Sequence, residues 1–342
     1  MVALHFLARE ATYSSKGYFV HKMSFKLLVS AVIAVVVGYY WLNYVKRGPI
    51  YESDKKLNGK TVLITGGNTG IGKATAMDLA KRGARVVIAS RDLKKSNKVK
   101  DEIIKESGNH EVRAMQVDLE DFDSVRKFAK EFDESEKYLD YLVNNAGVIS
   151  LAGFAKSGVN KIFAINHFGP FLLTDLLSNK MKIQSKSRPV RIINLSSEGY
   201  KMGQPTMNRI YENVTSSFDM FAVYGESKLA NIFFTQQLHE NLKKFNITTY
   251  AVHPGMIETE IGNNLPLAWK NVLKIMFQPF LRNVFYGAQT TLYCVLDDDV
   301  VKYSGGYFME CQHTELQSHA INKTARGELW KLSSKLTVEF MK

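Results

Sequence analysis

The sequence predicts an α/β protein built on a doubly wound parallel sheet and preceded by one N-terminal transmembrane helix. From residue 60 onward, short apolar runs of strand length alternate with longer amphipathic stretches, and an uncharged apolar run lies before them. Strands that alternate with helices are typical of a parallel sheet covered on both faces. The ordinary composition, 45% hydrophobic and 23% charged, excludes disordered and fibrous classes.

The N-terminal apolar run extends from Leu27 to Val45 without Asp, Glu, Lys or Arg. At helical rise it spans roughly 28 Å, about one hydrocarbon core. Aromatic residues, which favour the membrane interface, crowd its C-terminal end. A cleaved signal peptide would have a shorter run and a small-residue cleavage site. We therefore predict a tail at 1–22, an anchor at 23–47 and a polar link at 48–59, with basic residues on both sides of the anchor.

The remainder, 60–342, is predicted to form one domain with about seven strands. The candidate strands are Val62–Thr65, Arg85–Ser90, Val112–Val117, Leu139–Val143, Val190–Leu195, Ile247–Val252 and Gly306–Met309. The candidate helices are Gly72–Arg82, Leu93–Ser107, Asp123–Glu134, Ile162–Met181, Val223–Lys243 and Gly287–Leu296.

A glycine-rich turn, TGGNTGIGK from Thr65 to Lys73, joins the first strand to the first helix. Glycine lets the backbone approach a pyrophosphate, and the helix N-terminus offers free N–H groups and a positive dipole end. The position between a strand and a helix favours a Rossmann-type dinucleotide site over an ordinary tight turn. The candidate cofactor-binding residues here are Gly66, Asn68, Thr69, Gly70, Ile71 and Gly72.

The end of the second strand bears on the choice of cofactor. An acidic residue at this point would bind the ribose hydroxyl of NAD, but Ser90 and Arg91 stand there instead. A guanidinium can clamp a 2′-phosphate, so the sequence predicts NADP(H). Asp92 leaves an alternative open, in which Arg91 and Asp92 form a plain surface turn.

Tyr224 and Lys228 are four residues apart, so they share one face of a helix. A lysine ammonium beside a phenol stabilises the phenolate and is expected to lower the Tyr224 pKa. Tyr224 could then exchange a proton with a carbonyl oxygen while hydride is transferred, and Ser197 could hold that oxygen. In isolation, such a pair would more often be an ordinary amphipathic helix face.

Four motifs occur in order: TGxxxGIG, Asn144-Asn145-Ala146-Gly147, YxxxK and His253-Pro254-Gly255. Together they resemble the short-chain dehydrogenase/reductase family over about residues 60–340. The runs YGESKLANIFFTQQL and YAVHPGMIETE are similar to the membrane-anchored retinol dehydrogenases within it. Local departures at Glu198-Gly199-Tyr200, Pro170, Gly225 and Glu226 leave the substrate open.

The resemblance implies roles for individual residues. Catalytic roles fall on Asn166, which would complete a proton relay toward Lys228, and on Ser197, Tyr224 and Lys228. It also implies cofactor contacts by Asp118, Asn145, Ala146, Gly147, Tyr224, Lys228, Pro254, Gly255 and Thr259. A strand-end cap is the alternative for Asp118, and His253 is expected to be a packing residue rather than a base.

The predicted activity is NADP(H)-dependent interconversion of a lipophilic alcohol and its carbonyl, with retinol and retinal as the best guess. Other lipid aldehydes, steroid ketones and a non-enzymatic scaffold remain alternatives. We expect a single-pass endoplasmic reticulum protein whose catalytic domain faces the cytosol; a homo-oligomer stays open. The net charge of +12 lacks a basic–aromatic module, so no nucleic-acid partner is predicted.

Two further expectations concern metals and the substrate. The histidines show no metal spacing and only Cys294 and Cys311 occur, so the sequence predicts no metal and reduced thiols. The resemblance implies that the segment 261–285 covers the substrate. Here the segment is apolar and basic, so we expect it also to touch the membrane.

Overall fold

The computed structural model describes residues 27, 29–39, 47–149, 152–257 and 281–339. The chain divides into two compact units, Met1–Arg47 and Gly48–Lys342. In the first unit, residues 29–39 are helical, and most of their large apolar side chains are exposed. Within the described ranges, no helix is both long enough and apolar enough to span a bilayer.

The second unit is built on one eight-stranded sheet with the order β3-β2-β1-β4-β5-β6-β7-β8. Neighbouring strands are parallel except for the last pair, which is antiparallel. The strands are β1 (Thr61–Thr65), β2 (Arg85–Ser90), β3 (Val112–Gln116), β4 (Tyr141–Asn144), β5 (Val190–Leu195), β6 (Ile247–His253), β7 (Tyr307–Met309) and β8 (Gln312–Thr314). The order reverses between β1 and β4, and this is where open α/β sheets bind ligands, outside the carboxyl ends of the strands.

Helices cover both faces of this sheet. They are α1 (Gly70–Lys81), α2 (Leu93–Ser107), α3 (Phe122–Ser135), α4 (Gly169–Gln184), α5 (Ser217–Leu242), α6 (Val284–Leu296) and α7 (Lys323–Glu339). A short helical stretch, Lys161–Phe163, and a π-helical turn, Ala164–Phe168, lead directly into α4.

The core consists of two apolar clusters, one on each face of the sheet. Alternate residues of β1 point to opposite faces, so Leu63 joins one cluster and Val62 and Ile64 join the other. Helices α3, α4, α5 and α7 complete the first cluster, and α1, α2 and α6 complete the second. Burial on both faces explains why the middle of β1, Val62–Ile64, is a continuous apolar run rather than an alternating one.

The expected link at 48–59 packs on this unit. The Tyr51 N–H donates to Gln289 Oε1 at 2.9 Å, and its hydroxyl lies 3.1 Å from Asp297 Oδ2. Leu57 is 1% exposed and belongs to the second cluster. These contacts connect residues 48–59 to α6 and to the second apolar cluster.

The prediction of about seven strands missed β8, and the predicted helices missed α7. Strand β8 has no apolar run, because it is a short edge strand with half-exposed polar residues. Helix α7 buries Ala325, Leu329, Ser333 and Thr337 at every fourth position. Because two of those four residues are polar, the apolar period expected of an amphipathic helix is weak there.

Helix α5 begins six residues earlier than predicted. The Ser216 hydroxyl caps it by accepting the Asp219 N–H at 3.1 Å. A serine followed three residues later by an acid is a helix-start signal that the sequence analysis did not use.

Candidate active site

The glycine-rich turn between β1 and α1 is shaped by positions that exclude a side chain. Gly66 and Gly70 have φ values of +67° and +54°, in the left-handed region. A Cβ at Gly72 would lie 2.3 Å from the Gly66 carbonyl oxygen, so the turn closes only with glycine there. Thr69 makes no side-chain cap bond, and the first turn of α1 holds no acid. The first N–H groups of α1 are therefore left to bind an anion.

Thr65 connects this turn to the Asn145-Ala146-Gly147 turn after β4. Its hydroxyl oxygen accepts the N–H groups of Asn145 at 3.0 Å and Ala146 at 3.1 Å. In return, the Asn145 side-chain amide donates to the Thr65 carbonyl at 2.8 Å. The two predicted cofactor segments are thus joined by hydrogen bonds in both directions. This role of Thr65 could not be predicted from the glycine spacing of the turn.

Arg91 lies exposed at the end of β2. Asp92 does not pair with it, because its side chain caps α2 by accepting the Lys95 N–H at 2.9 Å. Lys73, in the first turn of α1, is 2.5 Å from Glu102. In the described part of the chain, no ion pair involves the Arg91 guanidinium, so it is available to a ligand.

Ser197 and Tyr224 meet at the carboxyl end of β5. Ser197 caps a short 3-10 helix, Glu198–Met202, and its hydroxyl oxygen accepts the Gly199 N–H at 3.1 Å. Tyr224, on α5, lies beside Ser197, because a Cβ at Gly199 would be 3.2 Å from the Tyr224 ring and 3.4 Å from the Ser197 Oγ. The predicted serine and tyrosine therefore converge on the same glycine.

Lys228 lies one turn further along α5, and its ammonium nitrogen is 5.5 Å from the centroid of the Tyr224 ring. It donates a hydrogen bond to the Leu195 carbonyl at 3.1 Å and is 3% exposed. Burial lowers the Lys228 pKa to about 8.

The expected lowering of the Tyr224 pKa is wrong for this structure. Burial raises that pKa, and only the hydrogen bond with Ser197 opposes the change. The Lys228 ammonium lies over the ring and gives a hydrogen bond to a carbonyl. Its attraction for a phenolate therefore does not outweigh the loss of hydration.

Asn166 lies in the π-helical turn before α4 and is fully buried. Its Oδ1 accepts the Val148 N–H and its Nδ2 donates to the Val148 carbonyl, both at 2.8 Å. The Nδ2 also donates to Ser227 Oγ at 3.0 Å. A Cβ at Gly147 would lie 3.2 Å from the Lys228 nitrogen and 3.4 Å from Asn166 Oδ1, so both groups converge on this glycine. π-Helical turns occur frequently at functional sites.

Below the site, a buried amide chain joins β4, β5 and α5. The Asn144 side chain donates to Asn194 at 2.8 Å, and Asn194 donates to Thr235 at 2.9 Å. The hydroxyl of Thr174 on α4 accepts a second bond from Asn144 at 3.1 Å. This chain of hydrogen bonds cannot be predicted from the sequence, because Asn144 stands there only as part of a turn motif.

The remaining predicted residues lie around this edge. His253 is buried, with its pKa lowered to about 4 by burial, and its Nδ1 accepts the Glu198 N–H at 3.3 Å. A neutral imidazole that accepts a backbone N–H is consistent with a packing residue. Pro254 and Gly255 follow it, and Gly255 has a φ of +91°.

Asp118 caps the turn after β3, because its side chain accepts the Glu120 N–H at 3.1 Å. Thr259 lies outside the described residues, as does most of the segment 261–285. At the base of that segment, the Arg282 N–H donates to the Met256 carbonyl at 2.9 Å.

The family model for short chain dehydrogenases matches residues 60–268. Mouse (Mus musculus) retinol dehydrogenase 12 is 40% identical over 296 residues, 84% of this chain and 90% of the relative. Human (Homo sapiens) retinol dehydrogenase 11 is 39% identical over 290 residues, 84% and 88% of the two chains. A crystal structure from Mycobacterium paratuberculosis superposes with a TM-score of 0.65 at 26% identity, covering 83% of this chain and 95% of that one.

The doubly wound sheet, the glycine turn at its switch point and the Ser–Tyr–Lys cluster define a nicotinamide-dependent oxidoreductase of the Rossmann type. The chain belongs to the short-chain dehydrogenase/reductase family, in its retinol dehydrogenase-like subgroup.

Proposed function

We propose that this protein is a membrane-anchored, NADP(H)-dependent oxidoreductase that interconverts a lipophilic alcohol and its carbonyl, with retinol and retinal as the first candidates. The observation that carries the proposal is the convergence of Ser197 and Tyr224 on Gly199, with Lys228 over the tyrosine ring. The names of the relatives, retinol dehydrogenases 11 and 12, support the substrate class.

A nicotinamide cofactor held at this edge would supply the hydride to the carbonyl carbon, or would accept it from the alcohol. Tyr224 gives its hydroxyl proton to the carbonyl oxygen in reduction and takes it back in oxidation. Ser197, which lies beside the Tyr224 ring, holds the same oxygen and so positions it for the proton transfer. Lys228 carries positive charge near the ring at neutral pH, which favours the phenolate that Tyr224 leaves behind.

Asn166 acts in this proposal as a positioning residue. It hydrogen-bonds to Val148 and Ser227, and the Ser227 hydroxyl in turn donates to the Tyr224 carbonyl at 2.7 Å. A further proton path from Asn166 toward Lys228, as the family resemblance implies, is part of the proposal.

The cofactor would be held by residues at the carboxyl edge of β1, β2, β3, β4 and β6. The uncapped start of α1 and the glycines that a Cβ would block fit a pyrophosphate. The assigned contacts are Gly66, Asn68, Thr69, Gly70, Ile71, Gly72, Asp118, Asn145, Ala146, Gly147, Pro254, Gly255 and Thr259. Arg91 would bind the 2′-phosphate that distinguishes NADP from NAD, because its guanidinium is exposed and Asp92 is engaged elsewhere.

The cofactor assignment is tested with Arg91→Asp, which removes the cation and supplies a ribose acceptor. A charged hydrogen bond contributes roughly 1.5–3 kcal/mol, so NADPH affinity should fall about ten- to a hundredfold while NADH affinity rises. The affinities are measured by fluorescence titration with both cofactors, and Lys73→Ala serves as the control. An unchanged NADPH/NADH ratio in R91D would reject the clamp.

The membrane part of the proposal rests on the uncharged run Leu27–Val45. We place this anchor in the endoplasmic reticulum, with the catalytic domain on the cytosolic side. Protease treatment of intact microsomes should digest the domain. Full protection, or glycans at Asn213 or Asn322, would put it in the lumen.

The substrate is tested by NADPH oxidation in purified membranes. The panel holds all-trans-retinal, 9-cis-retinal, medium-chain aldehydes and steroid ketones. The proposal predicts turnover of at least one lipophilic carbonyl, with a retinal preferred. Activity on polar aldehydes alone would contradict it.

A further inference from the structure

A buried carboxylate stands between Tyr224 and Lys228 in the sequence. Glu226 follows Tyr224 by two residues on α5, so its side chain leaves the helix on a different face. The residue is 1% exposed. Glutamate is almost never fully buried unless it is paired, so its partner indicates what it does.

The partner of Glu226 is the chain segment that follows Ser197. One of its oxygens accepts the backbone N–H of Arg209 at 3.2 Å, and the other lies 3.6 Å from Nε of the same residue. The Arg209 guanidinium also forms ion pairs with two other carboxylates, because its Nη1 lies 3.1 Å from a Glu212 oxygen and 3.5 Å from an Asp219 oxygen. Within the described ranges, Arg209 is the one cation at ion-pair distance from Glu226.

Gly225 lets the same segment rest directly on the helix backbone. A Cβ there would lie 2.7 Å from the Gly199 carbonyl oxygen and 3.3 Å from the Gly203 nitrogen. Gly199 is also the residue whose N–H binds the Ser197 hydroxyl. The residues between Tyr224 and Lys228 therefore form the surface against which the Ser197 side of the site is packed.

The segment needs such contacts, because part of its backbone is strained. Met207 has a φ of +50°, which is uncommon for a residue with a side chain. Such conformations persist only where surrounding contacts determine them. Glu226 supplies one contact from α5. Asn160 supplies another, since its N–H donates to the Ile210 carbonyl at 2.8 Å.

We infer that Glu226 is a positioning residue that holds the segment 203–212 against α5 and thereby fixes the substrate side of the Ser197–Tyr224 pair. The inference rests on the proposed function, in which Ser197 binds the substrate oxygen. Neither the hydride nor the proton passes through Glu226, so its loss should raise the substrate KM more than it lowers kcat.

The attraction between Glu226 and Arg209 should depend on pH. Burial raises the Glu226 pKa to about 7, and the charged groups that face it are Arg209 and Glu212. The ionised carboxylate attracts Arg209 more strongly than the neutral acid does. The substrate KM should therefore rise as the pH falls through about 7, while the Kd for NADPH stays constant.

The kinetic test compares wild type with Glu226→Gln and Glu226→Ala from pH 6 to 8.5, at saturating NADPH. Glu226→Gln keeps an acceptor oxygen but cannot ionise, so its KM should be independent of Glu226 titration and equal the acidic wild-type value. Glu226→Ala should raise KM about tenfold at pH 8, with kcat within about threefold. Glu240→Gln, the same change on the exposed face of α5, is the matched control and should follow wild type.

Hydrogen exchange separates this inference from the proposed function. Amide exchange across 203–212 should be faster in E226A than in wild type, and intermediate in E226Q, whatever substrate is turned over. One outcome is that the wild type turns over no carbonyl while amide exchange still differs among the three proteins as expected. In that case the proposed function is wrong and the positioning role of Glu226 stands. Equal exchange in all three proteins, or equal KM–pH profiles for wild type and E226Q, would overturn the inference.

Discussion

Burial controls the ionisation of several side chains beneath the carboxyl edge of the sheet. His167 packs among aromatic rings, and its Nε2 lies 2.9 Å from Ser333 Oγ. The Nδ1 of His253 accepts the backbone N–H of Glu198. Burial lowers the pKa of both imidazoles to about 4 from the ordinary value of 6.5. Both are therefore neutral packing residues at physiological pH, and this separates them from Tyr224 and Lys228, which we propose handle protons.

These two histidines predict a pH dependence of stability. Between pH 6.5 and 4 the unfolded chain binds protons at His167 and His253 that the folded chain does not. The free energy of unfolding should therefore fall as the pH decreases through that window. His253→Gln should reduce the slope by up to about 1.4 kcal/mol per pH unit, because one such proton is removed. Denaturant titrations from pH 7 to 4 measure it, with the exposed His110→Gln as control; equal slopes in H253Q and wild type would contradict the assignment.

At the scale of elements, α1 illustrates what the sequence could predict. Its glycine spacing and its place after an apolar strand were sufficient to predict a phosphate turn. They could not predict the link from Thr65 to Asn145, because the two residues are far apart in the sequence. The same limit applies to α5: the Tyr224–Lys228 spacing predicts one helix face, whereas the Arg209 partner of Glu226 comes from a distant loop.

Two helical glycines, Gly72 on α1 and Gly327 on α7, test the packing of the glycine-rich turn. Gly72→Ala should destabilise the protein and weaken NADPH binding, because its Cβ would meet the Gly66 carbonyl at 2.3 Å and force the turn open. The expected loss is about 1–3 kcal/mol of stability. Gly327→Ala on α7 meets nothing within 4 Å and should stabilise the protein by about 0.5–1 kcal/mol. Thermal unfolding with and without NADPH measures both; a G72A protein as stable as G327A would contradict the packing.

At the scale of the whole molecule, the prediction of a doubly wound sheet is confirmed. The elements that could not be predicted from the sequence lie at the edges of the domain. Strand β8 and helix α7 lack a clear apolar period, since each is completed by packing against the earlier elements. Residues 48–59 looked like a polar link, yet Tyr51 and Leu57 contribute contacts to the domain. Few residues at these edges are apolar, so local patterns carry little signal there.

A pair of truncations tests this boundary. A chain that begins at Gly48 should fold without the anchor and bind NADPH, because Gly48–Lys342 is a compact unit. A chain that begins at Lys60 should be less stable, because it loses the Leu57 side chain and the Tyr51 hydrogen bonds. Thermal unfolding and NADPH titration compare the two. Equal stability would show that residues 48–59 act only as a link.

The central claim is that Tyr224 transfers the proton in a carbonyl reduction. The direct measurement is NADPH oxidation by wild type and Tyr224→Phe in matched membranes, using the best carbonyl from the substrate panel, together with the NADPH Kd of each. The change keeps the ring and its packing and removes only the hydroxyl, so the account predicts an unchanged Kd and a turnover reduced roughly 10²–10⁴-fold. Turnover by Y224F within a few-fold of wild type would contradict the claim.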